Sequence, residues 1–411
     1  MSRRQASREQ PPPCEDNLRE GHLREGFTTG SAAAAAARAA TLFALTGVIP
    51  QVVDIPLPPP HPSDSGRLSI PIAAVVSEDL GVRAAVVKDG GDDPDATHGA
   101  RIEAHVTLDP AYSGVGPHVL IGGGRGVGRV TLPGLSVAVG QAAINPGPEA
   151  QIRQSVLEVL PDYFKGIALV VIEVPDGEAM AKHTLNPRLG ILGGISILGT
   201  GGIVRPYSHE AWAACIDSGL DVARAAGHKA VALTTGRRSE RLLQERLPFV
   251  PDVCLIQAAD FFAHALRAAS ARGFTDVVWS VFPGKLVKQA QGFASTHARK
   301  AELDFALLAD WAREAGADAG TVAAVAHANT AAQALALVFE DSAAVAGALV
   351  ELLVARARAA AQGFAGPGVG LCGVSIRYVV FDLAGACLFA DPALESIFAP
   401  ADPLHPGAGS R

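Results

Sequence analysis

The sequence predicts an α/β protein whose first half is an α+β unit and whose second half is built on a parallel sheet. The chain is 49% hydrophobic and 18% charged, a composition that excludes a disordered chain. Its length of 411 residues is enough to bury a core without disulfides or metal. Before residue 180, short runs rich in Val and Ile are bounded by Gly, Pro or Asp, as in strands. After residue 194, such runs alternate with helix-length stretches, as in parallel sheets.

In the first half, one Ala-rich helix precedes the predicted strands. The helix is expected over residues 32–45, with Ser31 or Thr29 as its cap and Gly47 at its end, because hydroxyls favour the first position and glycine the last. The predicted strands are residues 52–55, 68–76, 82–87, 102–108 and 167–174. The glycine-rich run 122–128 fits no phosphate fingerprint, and we expect a loop there.

In the second half, predicted strands and helices alternate. The predicted strands are residues 194–198, 230–234 and 276–282. The predicted helices are residues 209–226, 260–271 and most of 300–362. Residues 375–382 and 386–390 are expected to form a hairpin. Ligands of parallel sheets bind outside the carboxyl ends of the strands, so the glycine-containing loops that follow these runs are the expected binding region.

Charge and cysteine content exclude several classes of protein. The net charge of −7 argues against a general nucleic-acid binder, which usually carries a basic surface. The five cysteines are far apart and lack a CxxC pair, which favours free thiols in a reducing compartment and disfavours a zinc site. No apolar leader or membrane span is recognised. We therefore expect a cytoplasmic protein without membrane or nucleic-acid partners, with a disordered tail at 1–22 and a second tail at 400–411.

The strongest local signal is the segment 193–204, where a buried run leads into the glycines of 199–202. Glycines lack a Cβ, so their backbone N–H groups can approach an anion or a nucleotide closely. The dinucleotide fingerprint would need Gly where Val204 stands, and the P-loop pattern would need Ser or Thr where Leu286 stands. A ligand loop and a tight turn between strand and helix both remain open.

A second signal is the acid-rich segment 88–99, which holds Lys88 and four aspartates within eight positions. The acids do not follow the spacing of an EF-hand loop. They could orient a ligand hydroxyl or amine, or offset a cationic centre. A solvated turn is the alternative, since Asp, Gly and Pro are turn formers.

A third signal is the segment 182–190, where His183 and Arg188 precede the glycines of 193–202. The cluster lies at the expected junction of the two halves, where small-molecule sites often form. A direct role for His183 and a purely structural one are both open.

The distribution of lysine is a fourth signal. The chain has seven lysines, and three of them lie between residues 285 and 300. Lys285 and Lys288 are followed by Thr296, His297 and Arg299. This retention of lysine favours an anion site for carboxylate or phosphate, whereas the alternative is a helix with a basic solvated face.

Taken together, these segments resemble one family, the cobalt-precorrin-5B C(1)-methyltransferases of anaerobic cobalamin biosynthesis (the CbiD family). The resemblance spans roughly residues 24–310, and its motifs follow the family's order. They are residues 24–35, 87–95 with Thr97-His98-Gly99, Gly126-Val127-Gly128, Ile144-Asn145-Pro146, 186–191, 193–204, 284–288, and Thr296-His297 with Arg299.

The chain departs from the family pattern at two places. After Ile203-Val204 the family usually has Glu-Pro-Met-Ser, whereas this chain has Arg205-Pro206-Tyr207-Ser208. In the loop after Gly128 the family usually has lysine before Pro-Gly, whereas this chain has Leu132. The first change inverts a charge beside the glycine loop, and it could alter substrate contacts or mark a divergent branch with altered activity.

The resemblance implies a reaction and a fold. S-adenosylmethionine would donate a methyl group to C-1 of a cobalt-containing, ring-contracted tetrapyrrole, giving cobalt-precorrin-6A. The implied fold is α/β with two domains, an N-terminal α+β two-layer domain at 23–185 and a Rossmann-like parallel α/β domain at 186–365. A C-terminal hairpin at 366–399 would pack on the core.

The resemblance and the residue types together give candidate site residues. S-adenosylmethionine is assigned to Gly199, Thr200, Gly201, Gly202 and Asp89. The carboxylate-bearing substrate is assigned to Thr28, Thr29, Lys88, Arg188, Lys285, Lys288 and Arg299. No catalytic residue is identified, and the candidates are His183, His297 and Asp92. We expect no protein-bound metal, since the cobalt belongs to the substrate, and neighbouring corrin-pathway enzymes are possible partners.

Two other functions are weighed against methyl transfer. The chain could hold an oxygen-sensitive tetrapyrrole for a partner enzyme without transferring methyl, in which case it would lack affinity for S-adenosylmethionine. It could instead be an NAD(P)-dependent oxidoreductase that uses the Gly199 loop, although Val204 argues against this.

Overall fold

Within the residues that it describes, the chain is mixed α/β with several sheets. The computed structural model describes residues 23–59, 66–111, 116–298, 301–366 and 373–398. The tails expected at 1–22 and 400–411 lie outside these ranges, and so does the substrate candidate Arg299.

The strands and helices of the described ranges are numbered here in chain order. Strands β1–β13 are Gly26–Phe27, Val52–Pro56, Arg67–Pro71, Ala74–Glu78, Gly81–Val87, Arg101–Asp109, His118–Gly123, Gly126–Val127, Arg129–Val130, Ile167–Glu173, Ile191–Leu192, Gly194–Ile195 and Ile203–Val204. Strands β14–β18 are Ala230–Thr234, Leu255–Gln257, Asp276–Val281, Ser375–Phe381 and Cys387–Ala390. Helices α1–α12 are Thr29–Thr46, Pro146–Leu157, Gly177–Ala181, His209–Ala225, Arg237–Arg246, Phe262–Ala271, Pro283–Ala290, Phe305–Glu314, Ala319–Ala326, Ala331–Asp341, Ala343–Ala365 and Leu394–Phe398.

Helix α1 is the Ala-rich helix expected from the sequence. Its cap is Thr28, not Ser31 or Thr29, because the helix begins at Thr29 and the Thr28 hydroxyl accepts the Ser31 N–H at 3.2 Å. Gly47 ends it as predicted, in the left-handed region with φ 70°. Alanines 32–37 are fully buried, so small side chains let the sheet and α2 approach α1 closely.

The first sheet is formed by β4, β5, β6, β10 and β7 in that order. Helices α1 and α2 cover one face with a continuous apolar core. The other face is open, with Leu120 and Leu169 exposed, as is common for sheets rich in antiparallel pairs. The run predicted as one strand at 68–76 is two strands, because β3 pairs with β2 whereas β4 pairs with β5.

Three short strand pairs tie residues 191–204 to the first half of the chain. Strand β11 pairs with β9, β12 with β8, and β13 with β1. The expected boundary at 185/186 assigned this segment to the second half instead. The glycine-rich run 122–128 also joins these pairs through β8, rather than forming only a loop. Gly126 makes this possible, because a Cβ there would collide with the Val174 carbonyl.

The second sheet has the strand order β15, β14, β16, β17, β18. The first four strands are parallel, and β18 is antiparallel to β17. Apolar cores lie on both faces of the sheet. The antiparallel pair of β17 and β18 is the hairpin expected from the sequence at 375–382 and 386–390. Strand β17 also pairs with β16, so it lies inside the sheet. Its burial on both faces explains this, since Tyr378 and Val379 are both inaccessible.

Candidate functional site

The first turn of α1 is bonded directly to residues 196–202, called the glycine loop below. The Thr29 hydroxyl accepts the Leu198 N–H at 2.9 Å, and the Thr28 N–H donates to the Gly202 carbonyl at 3.1 Å. Both threonine side chains are buried. The protein itself thus uses Thr28 and Thr29 to hold the glycine loop, and their contact with a substrate stays a prediction.

The glycines of the glycine loop differ in what surrounds them: two are packed against other residues and one borders open space. At Gly199 (φ 135°) a Cβ would strike Thr28, and at Gly202 (φ 75°) it would strike Leu57 and the neighbouring proline. A Cβ at Gly201 would meet no atom within 4 Å, and Thr200 is exposed. Gly199 and Gly202 are needed for packing, so the accessible part of the loop is Thr200 and Gly201 together with the exposed Leu198.

Residues 88–99, called the acidic loop below, pack against the chain on either side of Gly26. A Cβ at Gly26 or at Gly91 would overlap the opposing backbone. The Asp92 carboxylate accepts the Arg24 N–H at 2.7 Å. The Asp89 carboxylate accepts hydrogen bonds from the Arg24 guanidinium and from the Gly91 N–H, which hold the pKa of Asp89 below its usual value. Both aspartates are therefore already partnered within the protein.

Lys88 points into the protein rather than toward the surface. Its side chain is 1% exposed, and its ammonium lies 2.5 Å from the Asp95 carboxylate. Burial alone would raise the pKa of Asp95, but the charge and hydrogen bond of Lys88, with hydrogen bonds from Thr97, lower it. The ion pair fixes the acidic loop, so a contact between Lys88 and substrate stays a prediction.

Lys88→Met is expected to destabilise the fold by about 3 kcal/mol, because removing one partner leaves a buried charge uncompensated. Chemical denaturation measures this, and Lys88→Met with Asp95→Asn should restore part of the loss. The depressed pKa of Asp95 adds a stabilising contribution that is present above about pH 4 and lost as the pH falls through the folded-state value. Unchanged stability with a raised substrate KM would contradict this structural role.

The segment that follows β13 touches the acidic loop. The Tyr207 N–H donates to Asp93 Oδ1 at 3.0 Å, and the Arg205 guanidinium lies 3.1 Å from the Glu25 carboxylate. Strands β1 and β13 pair next to these contacts. Residues 24–31, 88–99 and 196–208, which are far apart in the sequence, therefore converge at one place.

A second cluster lies at the carboxyl ends of β15 and β16 and consists of Asp260, Lys285, Lys288 and Thr296, called the lysine cluster below. The Asp260 carboxylate contacts the Lys285 ammonium and accepts the Thr296 hydroxyl at 3.1 Å. Both lysine ammonium groups lie 3.3 Å from the Thr296 carbonyl. The preceding residue, Ala259, has φ 48°, and such strain is found preferentially at functional sites.

The surroundings of the lysine cluster lower the pKa values of its two ammonium groups. Burial, together with the positive charge of Lys288, lowers the pKa of Lys285 to about 8. Burial also lowers the pKa of Lys288. Contact with Asp260 favours the charged form of Lys285 at neutral pH. An incoming anion would act in the same direction, so the cluster is suited to bind carboxylates.

Arg188 joins the two halves of the chain. Its guanidinium makes bonds of 2.7 and 2.5 Å to the two carboxylate oxygens of Glu240 on α5. Gln257, at the end of β15, donates to the same carboxylate at 3.1 Å. Because Glu240 is buried, Arg188 holds residues 186–190 against the carboxyl edge of the second sheet. Its contact with a substrate stays a prediction.

Leu132, a departure from the family pattern, lies against Gly190.

The three catalytic candidates are not brought together by a shared hydrogen bond that the structure shows. His183 is exposed just after α3, and its N–H donates to the Met180 carbonyl. His297 follows Thr296 of the lysine cluster, and its carbonyl accepts the Ala301 N–H. Asp92 lies on the acidic loop. Their catalytic roles stay predictions.

Residues 205–209 connect the two regions. They leave the glycine loop through β13, and the ring of His209 lies 5.6 Å from that of Phe261 in an edge-to-face contact. Phe261 directly follows Asp260 of the lysine cluster. The glycine loop, the acidic loop and the lysine cluster are therefore linked along one path.

Sequence reasoning missed Asp260 and Glu240, and it named Tyr207 only as part of the departure at 205–208. Asp260 was assigned only to the start of a helix. A signal was available, because Asp260 follows a parallel strand, at the edge where ligands of such sheets bind. Glu240 gave no signal, since its partner Arg188 is 52 residues away.

Among the described residues, no helix is long and apolar enough to cross a membrane. The same part of the chain contains no group of three or more His, Cys, Asp or Glu side chains that could hold a metal ion.

Comparison with known proteins adds family relationships. A family model described as CbiD matches residues 16–206, and a model described as CbiD, C-terminal domain, matches residues 295–392. The cobalt-precorrin-5B C(1)-methyltransferase of Nitratidesulfovibrio vulgaris is 55% identical over 351 residues, which cover 85% of this chain and 89% of the relative. The protein of the same name from Salinispora arenicola is 42% identical over 383 residues, covering 93% and 96%.

One solved structure is also similar. It is the crystal structure of a cobalamin biosynthesis protein (CbiD) from Archaeoglobus fulgidus. The match has 29% identity and a TM-score of 0.36, and it covers 64% of this chain and 79% of the other.

Proposed function

The chain belongs to the CbiD family, and on that premise we propose that it methylates C-1 of cobalt-precorrin-5B to give cobalt-precorrin-6A. The observation that carries the proposal is the 55% identity to a protein of that name, over 85% of this chain. The reaction is a step of anaerobic cobalamin biosynthesis. No feature of the structure favours a non-catalytic tetrapyrrole carrier or an NAD(P)-dependent oxidoreductase.

We propose S-adenosylmethionine as the methyl donor, with the glycine loop as its binding site. When bound, S-adenosylmethionine supplies the methyl group from a sulfonium centre. The open space at Gly201 and the exposed Thr200 suit a close approach to such a ligand. Gly199 and Gly202 keep this surface in place through their packing. Asp89, the donor-binding candidate on the acidic loop, would exchange its contact with Arg24 for the ligand's ammonium group or ribose hydroxyls.

The lysine cluster is the proposed site for carboxylate side chains of the acceptor. Lys288 contacts the Thr296 carbonyl, a neutral partner that an anion would outcompete, whereas Lys285 would share its charge between Asp260 and the incoming carboxylate. Arg188 and Arg299 are further candidates from the sequence. The ends of parallel strands β15 and β16 place the cluster at the edge where ligands bind in such sheets.

Positioning is the main catalytic contribution that these residues can make. Holding a donor and an acceptor in line can supply roughly 7–11 kcal/mol of barrier lowering. Methyl transfer from a sulfonium to an electron-rich carbon needs little acid–base help, so His183, His297 and Asp92 stay candidates without an assigned step.

We propose two domains for the chain, with the second one Rossmann-like. In the second sheet, β14 lies between β15 and β16, and helices cover both faces, as in doubly wound folds. Strand pairing supports a boundary after Val204 in place of 185/186. A cytoplasmic location and association with neighbouring pathway enzymes stay predictions.

Anaerobic methyl transfer tests the function. Purified protein is incubated with enzymatically generated cobalt-precorrin-5B and methyl-labelled S-adenosylmethionine, and the product mass is read. A gain of one labelled methyl group is expected. Absence of transfer, with a competent family member working alongside, would refute the proposal. Tetrapyrrole binding without donor affinity would then indicate a carrier, and NAD(P)H binding would indicate an oxidoreductase.

A further inference from the structure

Tyr207 has an unusual backbone for its residue type. Its φ is 57°, in the left-handed region that side chains other than Asn, Asp and Gly seldom occupy. Hydrogen bonds hold it there, because its N–H donates to Asp93 and the neighbouring Ser208 N–H donates to the Arg205 carbonyl at 3.2 Å. Such strain persists only where the surrounding structure imposes it, and it is concentrated at functional sites.

The ring of Tyr207 contributes little packing energy to the fold, so packing does not offset this strain. The residue is 54% exposed, so its ring is not a core side chain. Tyrosine is scarce in this chain, with four in 411 residues. A strained and exposed aromatic residue is better explained by a ligand than by packing.

The place of Tyr207 indicates which ligand. Residues 205–209 run from the glycine loop to the His209–Phe261 contact beside the lysine cluster. A molecule whose carboxylates reach Lys285 while its reacting carbon faces the glycine loop would span the two ends of this segment. Arg205, exposed on the same segment, adds positive charge there.

We propose that Tyr207 is a specificity-determining residue whose ring packs against the macrocycle of the tetrapyrrole acceptor. An aromatic ring offers a large apolar surface for such a contact, and the phenol hydroxyl keeps an exposed ring hydrated when no ligand is bound. The inference rests on the proposed methyl transfer and adds the residue that orients the acceptor between the donor loop and the lysine cluster.

Two variants separate the ring from the backbone strain. Tyr207→Gly removes the ring and accepts φ 57° without penalty, so its Tm should equal or exceed that of the parent. Tyr207→Phe keeps the ring. For Tyr207→Gly we expect an acceptor KM raised about tenfold with the donor KM unchanged, and for Tyr207→Phe we expect both values near the parent's. Tyr163→Ala, which removes another exposed ring, is the control and should change neither.

A binding measurement keeps this inference distinguishable from the proposed function. A planar porphyrin bearing carboxylates is titrated into the parent and both variants, with Trp212 as reporter. Trp212 is 44% exposed near the start of α4, whereas Trp279 and Trp311 are buried. Weaker binding by Tyr207→Gly alone supports the inference even if the parent transfers no methyl group.

Other outcomes would overturn it. An unchanged acceptor KM in Tyr207→Gly, in a parent that transfers methyl, would refute the role of the ring and leave the function standing. A raised donor KM with an unchanged acceptor KM would place the ring against the donor's adenine instead. A parent that neither transfers methyl nor binds the porphyrin would refute both proposals.

Discussion

Gly201→Trp is expected to remove the ability to bind the methyl donor while leaving the fold intact. A Cβ at Gly201 meets no atom within 4 Å, and its backbone lies outside the left-handed region. The new side chain therefore costs the fold little but fills the open side of the glycine loop. We expect the Kd for S-adenosylmethionine, measured by calorimetry, to rise at least about a hundredfold, which corresponds to about 2.7 kcal/mol. Methyl transfer should fall with it.

Two matched glycine variants make the result interpretable. Gly347→Trp on α11 also enters open space, so it should change neither donor affinity nor Tm. Gly202→Trp should lower the Tm sharply, because a Cβ there would press on Leu57 and Ser31 and the backbone has φ 75°. Donor affinity of Gly201→Trp equal to that of the parent would refute the assignment of the glycine loop.

The sequence predicts those elements whose signal is local. Strands at 82–87, 102–108 and 230–234 each combine β-branched residues with flanking turn residues, and all three are strands of the structure. The end of α1 at Gly47 follows from a glycine that can adopt positive φ. The cap of α1 was misplaced, because three hydroxyl residues within four positions, Thr28, Thr29 and Ser31, offer equally good local signals.

Elements whose signal depends on distant partners were not predictable. Strand β17 forms the hairpin with β18 that the sequence predicts, but its second partner, β16, lies about 100 residues earlier and gave no local signal. Residues 191–204 contain the apolar run 194–198, which in the sequence resembles the first strand of a new sheet. Their strands are only two residues long and exist because β1, β8 and β9 pair with them.

In the candidate site, too, features with a local sequence signal were predictable and features that depend on distant partners were not. The glycine loop and the acidic loop were both recognised from composition, and the structure brings them to one place through β1 and β13. Composition could not tell the packing glycines, Gly199 and Gly202, from the open Gly201, because that depends on which atoms face each Cβ. It also could not show that the Lys88 ammonium points inward to Asp95.

Lys285→Met is expected to raise the acceptor KM about ten- to hundredfold, because a hydrogen bond between charged groups contributes about 1.5–3 kcal/mol. The variant also leaves Asp260 without its cation, which disturbs the cluster itself. Lys285→Arg keeps the charge and should retain most of the affinity. Lys165→Met, which removes an exposed lysine elsewhere, should change nothing. An acceptor KM in Lys285→Met equal to the parent's would refute the assignment.

The pH dependence of the acceptor KM provides the sharper test of Lys285. Its pKa is lowered to about 8 by burial and by Lys288, so the free enzyme loses this positive charge as the pH rises through that value. The acceptor KM of the parent should therefore rise above about pH 8, since an anion binds the ammonium but not the neutral amine. In Lys285→Arg the guanidinium stays charged, and the rise should disappear. A rise that persists in Lys285→Arg would assign the titration to another group, with Lys288 as the nearest candidate.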